Sequence, residues 1–133
     1  MNRRPSLEDF VLLSVLGTGN FGDVYLVSKP QTHEYFAMKV VKKKEIARHN
    51  HIGHTLSERN ILTAVSHPCI VSLHYAFQTH KKVYFVLEYC PGGELYLHLR
   101  RATRFPVERA RFYAACVLLA LEHLHARNIV HRE

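Results

Sequence analysis

The N-terminal two-thirds of the chain alternates short β-branched and aliphatic runs with polar or glycine-rich breaks. Phe10 to Leu16 is one such run, and it ends in the stretch Gly17 to Gly22. Asp23 to Val27 resumes with strand-forming residues, Lys29-Pro30-Gln31-Thr32 signals a turn, and Tyr35 to Val41 forms a third run. Together these predict an antiparallel meander. A basic segment, Lys42 to His51, leads into a helical pattern in which Ile52, Leu56, Ile61, Leu62 and Val65 share one face. Ser66-His67-Pro68 ends that pattern. Two further strands are predicted at Val71–Gln78 and Val83–Leu87, and Pro91-Gly92-Gly93 breaks the chain. A short helix near Glu94–Arg101 and a long one near Val107–Arg127 follow. The long helix is apolar almost all round, from Phe112 and Tyr113 through Cys116, Val117, Leu118 and Leu119 to Leu124. Such a helix is expected at the centre of a larger body, with surrounding residues outside this chain. No internal repeat or low-complexity tract interrupts the pattern.

Composition narrows the class. At 133 residues the chain can bury one modest core. With 47% hydrophobic and 22% charged residues it reads as globular and not as disordered. A formal charge of +7 attracts phosphates, acidic peptides, nucleic acid or anionic lipid without selecting among them. The 11 histidines are scattered and show no metal-ligand spacing. Cys69, Cys90 and Cys116 show no paired spacing, which predicts free thiols in a reducing compartment. The N-terminus has no apolar run that could act as a signal peptide, and Ala114 to Leu121 is too short to span a bilayer. The expected location is the cytoplasm, with the nucleus as the alternative.

Three features carry chemistry. Gly17-Thr18-Gly19-Asn20-Phe21-Gly22 fits G-x-G-x-x-G. A dinucleotide fingerprint needs a helix after the glycines, whereas Asp23 to Val27 favours a strand, and no Lys-Ser/Thr pair follows as in a P-loop. What remains is a glycine-rich hairpin whose bare backbone approaches phosphates, or an ordinary flexible hairpin. Lys39 interrupts an apolar strand, and alternation places it on one face with Tyr35, Ala37 and Val41. A phosphate together with a carboxylate would offset its charge, while a lysine snorkelling from an edge strand is the simpler alternative. Glu58 is the candidate carboxylate, although Thr55-Leu56-Ser57-Glu58 also matches a capping box.

The glycine loop with Val24, Ala37-Met38-Lys39, and Glu58 beyond them resemble the N-lobe of protein kinases. His54-Thr55-Leu56, Leu73 to Phe77, Leu87 to Leu95, Phe105 to Ala115 and Ile129 to Arg132 resemble the AGC branch, in family order. The resemblance implies an α+β, protein-kinase-like fold: a five-stranded antiparallel N-lobe sheet with one main helix, then the first helices of an incomplete C-lobe. It implies an N-terminal flank at 1–9 and a kinase domain at 10–133, divided into N-lobe 10–87, hinge 88–93 and partial C-lobe 94–133. By the same resemblance the loop of Gly17, Thr18, Gly19, Asn20, Phe21 and Gly22 would cover the phosphates of ATP. Lys39 would hold the α and β phosphates and pair with Glu58. Leu16, Val24, Ala37 and Leu95 would sandwich the adenine, backbone groups of Glu88 and Cys90 would bond its edge, and Leu87 would be the gatekeeper. Glu94 would face the ribose and a basic residue of the substrate, unless it is only a helix-start acid stabilised by the dipole. His54 would meet an activation-loop phosphate.

The implied activity is ATP-dependent phosphoryl transfer to serine or threonine of a protein with basic residues near the acceptor. Mg2+ would accompany ATP, its protein ligands lying outside this chain. Nucleic acid is not an expected partner, because Lys42-Lys43-Lys44 and Arg48 offer charge alone. The sequence departs from the family at His131-Arg132-Glu133, where the family places its catalytic aspartate at the third position. Glutamate there extends the carboxylate by roughly an ångström. No Asp-Phe-Gly appears. The expectation is therefore a kinase fragment inactive by itself; the alternative is a non-catalytic, pseudokinase-like module binding nucleotide or a partner.

Overall fold

The computed structural model describes residues 5–19, 22–48 and 52–131, and their side chains except at 48, 52–56 and 58. These residues form two compact units. One comprises residues up to 64 together with 72–89, and the other comprises 65–71 with 90–133.

The first unit is built on five antiparallel strands: β1 (Val11–Gly19), β2 (Gly22–Lys29), β3 (Glu34–Lys42), β4 (Leu73–Gln78) and β5 (Lys82–Glu88). Their order is β1-β2-β3-β5-β4. The β2–β3 turn closes as Lys29 carbonyl accepts from the N–H groups of Thr32 and His33, at 3.1 and 2.9 Å. His33 takes the left-handed conformation that such a tight return requires, with φ of 57°. The fully buried Val27, Met38, Phe85 and Val86 anchor the sheet.

Side chains of directly opposed residues share a face, so the register separates two cores. On one face Val27, Phe36, Met38, Val40, Tyr84 and Val86 pack with Phe10, and Tyr25, Tyr75 and Phe77 border them. Phe10 stands just before β1, its ring 6.0 Å from Phe77 in a stacked arrangement and edge-on to Phe36. Lys29 Nζ rims this core, donating to Tyr75 Oη at 2.8 Å and lying 4.5 Å from that ring's centroid. On the opposite face Val41, Ile46 and Phe85 form a smaller core, bordered by Leu73, Val83 and Leu87.

Ile46 belongs to α1 (Lys43–Arg48), a helix inside the segment that the sequence pattern assigns only as a basic lead-in. Its start is fixed where Lys43 N–H donates to Lys81 carbonyl at 2.9 Å. α2 spans Ile52–Ala64, so Thr55 lies within the helix and cannot be its N-cap. The capping-box reading of Thr55–Glu58 is thereby corrected: the helix begins earlier than that motif supposes.

The second unit contains α3 (Leu95–Ala102) and α4 (Val107–His125). α4 ends in a Schellman-type closure. Ile129 N–H donates to Leu124 carbonyl and Asn128 N–H to His125 carbonyl, with Asn128 at φ of 59°. Within α4 only Leu124 is buried, while Phe112 and Leu118 are 65% and 66% exposed. Among the described residues no helix is long and apolar enough to cross a membrane.

Candidate nucleotide site

The register of the sheet gathers most of the candidate residues. Gly17 faces Val24, Val24 faces Lys39, and Lys39 faces Phe85, giving one row across four strands. In the next row Leu26 faces Ala37 and Ala37 faces Leu87. Val24, Ala37, Lys39 and Leu87 therefore lie on one face, in adjacent rows. All four are half-buried. Val41, on the same face, continues into the small core with Ile46 and Phe85. The lysine thus stands where a packed core gives way to an open apolar surface. It is not without a partner within the protein.

The β1–β2 hairpin is irregular at its approach. Bulges fall between Leu12 and Ser14 and between Val15 and Gly17, so Leu16 is the extra residue of the second and is 44% exposed. Thr18 pairs with Asp23 and Gly19 with Gly22, and Thr18 and Gly19 are exposed. The glycines are required for different reasons. A Cβ at Gly17 would meet nothing within 4 Å, and one at Gly19 only Gly22 carbonyl oxygen at 3.7 Å. At Gly22 a Cβ would fall within 2.1 Å of Val40 carbonyl oxygen, and φ is +141°. Gly22 is therefore demanded by the packing of β2 on β3, a cause invisible in the loop motif itself. Asn20, Phe21 and Glu133 lie outside the described residues, as do the side chains of His54 and Glu58; Glu58 itself is on α2.

At the end of β5, Glu88 N–H donates to Ser72 carbonyl at 2.9 Å, and its carboxylate accepts from Ser72 N–H at 3.3 Å. In the second unit, Cys90 is exposed and its carbonyl accepts from Gly93 N–H at 3.2 Å, closing the Pro91-Gly92 turn. Gly93 takes φ of 73°, so glycine suits this turn. Glu94 is the N-cap of α3, but its side chain makes no capping hydrogen bond. Leu95, the first residue of α3, is exposed. His98 Nε2 is 2.6 Å from Gly92 carbonyl oxygen, linking the turn to the first turns of α3.

The sequence matches the protein kinase domain over residues 10–133. This chain belongs to the protein kinase domain family. It is 48% identical over 132 residues to a RAC family serine/threonine-protein kinase homolog of Dictyostelium discoideum, covering 99% of this chain and 30% of that protein. It is 50% identical over 129 residues to the serine/threonine-protein kinase sck2 of Schizosaccharomyces pombe, covering 95% of this chain and 20% of that protein. To the human RAC-beta serine/threonine-protein kinase it is 45% identical over 130 residues, covering 98% and 27% respectively. The chain thus spans less than a third of the length of these relatives. Its kinase motifs are of the AGC type, and its five-stranded sheet with helices is the fold that this resemblance implies.

Phe85 is the site neighbour that the motif reading leaves out. It stands opposite Lys39 and is only 1% exposed, so it packs the floor beside the lysine. Its signal in the sequence is weak, because Val83 to Leu87 is uniformly apolar and no single position stands out.

Proposed function

We propose that this chain is the ATP-binding portion of an AGC-type serine/threonine protein kinase, acting on proteins with basic residues near the acceptor hydroxyl. The observation that supports this most is the pair of rows placing Gly17, Val24 and Lys39 beside Ala37 and Leu87 on one sheet face. Small and branched apolar side chains there suit an adenine ring, and the ammonium group suits phosphate oxygens. The open space at Gly17 fits the same reading, since the protein's own packing does not exclude a side chain there. Bound ATP would supply the phosphoryl group. Lys39, oriented by Glu58 of α2, would neutralise and position its phosphates. Since Glu88 N–H is already given to Ser72, the Glu88 group offered to the adenine edge would be its carbonyl, which has a second lone pair to use. Cys90, Glu94 and Leu95 of the second unit are proposed, by the family resemblance alone, as further nucleotide-binding residues. The compartment proposed is the cytoplasm or the nucleus.

The resemblance also implies Mg2+ with the nucleotide. Among the described residues no group of three or more His, Cys, Asp or Glu could hold a metal ion. Glutamate at position 133, where the family has aspartate, favours a second reading as a non-catalytic, pseudokinase-like binding module.

Titration with a fluorescent ATP analogue, together with transfer of labelled phosphate to a basic serine peptide, tests both readings. The 133-residue chain is expected to bind the analogue without transferring phosphate. Lys39→Met should weaken binding about tenfold or more, from loss of a charge-assisted contact to phosphate. Equal binding by both forms would remove Lys39 from the site. Protein-dependent transfer by the chain would refute its expected inactivity.

A further inference from the structure

Of the chain's serines and threonines, only Ser6 and Thr103 have arginine at both the second and the third positions before them. The two hydroxyls are presented differently. Ser6 is half-buried, and its N–H and its Oγ both donate to Asp9 Oδ2, at 2.7 and 3.3 Å. Thr103 is exposed, as are Arg100 and Arg101 in the last turn of α3. Arg104 N–H donates to Ala102 carbonyl at 2.6 Å across Thr103, whose φ and ψ are 63° and −45°. This is a γ-turn of positive φ, a rare and strained form, with a β-branched residue at its tip. Glycine would meet that backbone demand at less cost, so the turn does not account for the choice of threonine.

We propose that Thr103 is a phosphorylation site, modified by a separate serine/threonine kinase that reads the guanidinium groups of Arg100 and Arg101. The class of that enzyme rests on the function proposed above, whereas the chain's own activity does not enter. To lay both arginines and the hydroxyl along one cleft, the last turn of α3 must unwind. α3 has eight residues and none of them is buried, so little packing opposes this. Leaving the γ-turn also releases its strain. Thr103 Oγ1 then attacks the γ-phosphorus of ATP. The bond to the β–γ bridging oxygen breaks, ADP leaves with that electron pair, and the hydroxyl proton passes to a base of the modifying enzyme. The new phosphate lies at the C-terminal end of α3, where the helix dipole disfavours an anion. Local charge opposes that effect. Between residues 98 and 111 five arginines accompany one acid, Glu108, and its carboxylate is already held by Arg111 at 2.9 Å. Arginine close to a phosphothreonine supplies the charge-assisted bonds that favour it.

The test incubates the 133-residue chain with ATP and an added serine/threonine kinase, selected on synthetic peptides for requiring arginine at the second and third positions before its acceptor. A peptide of residues 97–107 sets the rate for an unstructured site. Mass spectrometry is expected to map phosphate to Thr103, at a rate within about tenfold of the peptide's, because opening the end of α3 costs little. Arg100→Gln combined with Arg101→Gln should slow incorporation about tenfold or more, from loss of charge-assisted contacts. Thr103→Val should abolish it at this position. Phosphate at Ser6 with Thr103 unmodified, or a chain rate more than about tenfold below the peptide's, overturns the proposal. Mapping on the unmutated chain decides the matter even if a variant does not fold. Failure of the chain to bind nucleotide would count against the function proposed above and leave this result standing, since the added kinase supplies the activity.

Discussion

Gly22→Ala perturbs the candidate site through the sheet that carries it. The added Cβ would sit 2.1 Å from Val40 carbonyl oxygen, 3.0 Å from Val40 carbonyl carbon and 3.3 Å from Val41 Cα. All three are backbone atoms, so no side chain can swing aside. Restoring ordinary contact requires β2 and β3 to part by about 1 Å, enough to stretch one or two backbone hydrogen bonds out of range. Each lost bond costs about 1 kcal/mol. The φ of +141° adds strain that any residue but glycine feels, of order 1–3 kcal/mol. The sum, about 2–5 kcal/mol, is a large share of the roughly 5–15 kcal/mol that holds a small domain together. Gly17→Ala is the control: nothing lies within 4 Å of its Cβ position, so its effect on stability should stay within about 0.5 kcal/mol. Hydrogen exchange read by mass spectrometry, with urea unfolding followed by circular dichroism, separates the two. Gly22→Ala should lose protection in β2 and β3 and shift the urea midpoint downward, whereas Gly17→Ala should do neither and weaken only nucleotide binding. Unchanged protection of both strands in Gly22→Ala would refute the steric reasoning.

Phe85→Ala should destabilise the first unit by about 3–5 kcal/mol, because it empties the centre of the smaller core. A urea midpoint shift worth less than about 1 kcal/mol would mean that Val41, Ile46 and Leu87 collapse into the space instead. His123 predicts a pH dependence. Its Nε2 is buried without a hydrogen-bond partner, and burial, with Arg127 and His67 beside it, holds the imidazole below its ordinary 6.5. The unfolded chain then binds the proton more readily, so this contribution is present above pH 6.5 and is lost as pH falls through the lowered folded value. Unfolding midpoints measured across that interval should fall more steeply for the parent chain than for His123→Phe. Parallel curves would show that His123 titrates as it does in the unfolded chain.

The strands, the two C-terminal helices and the face of Lys39 were legible because each rests on local periodicity. Alternation in Tyr35 to Val41 suffices to put Ala37 and Lys39 on one side, and the register then supplies Val24 and Leu87 as neighbours. What escaped depends on residues far away in the chain. α1 has a single buried apolar residue, Ile46, whose partners Val41 and Phe85 come from two strands, so six mostly charged residues carry no periodic signal. The Thr55–Glu58 motif suggested a helix start, although α2 begins at Ile52. Gly22 looked like one more phosphate-loop glycine until Val40, on the neighbouring strand, supplied a different reason for it.

The two units differ in how completely they bury what they contain. Val27, Met38, Phe85 and Val86 are nearly inaccessible, and three of their strands, β2, β3 and β5, carry Val24, Ala37, Lys39 and Leu87. Those four side chains are held by rigid neighbours, as precise positioning of a phosphate requires. In the second unit α3 has no buried residue and α4 only Leu124, while Cys90, Glu94 and Leu95 are exposed. Residues on weakly buried elements open locally at low free energy. The residues proposed to face the phosphates therefore rest on the first unit's own core.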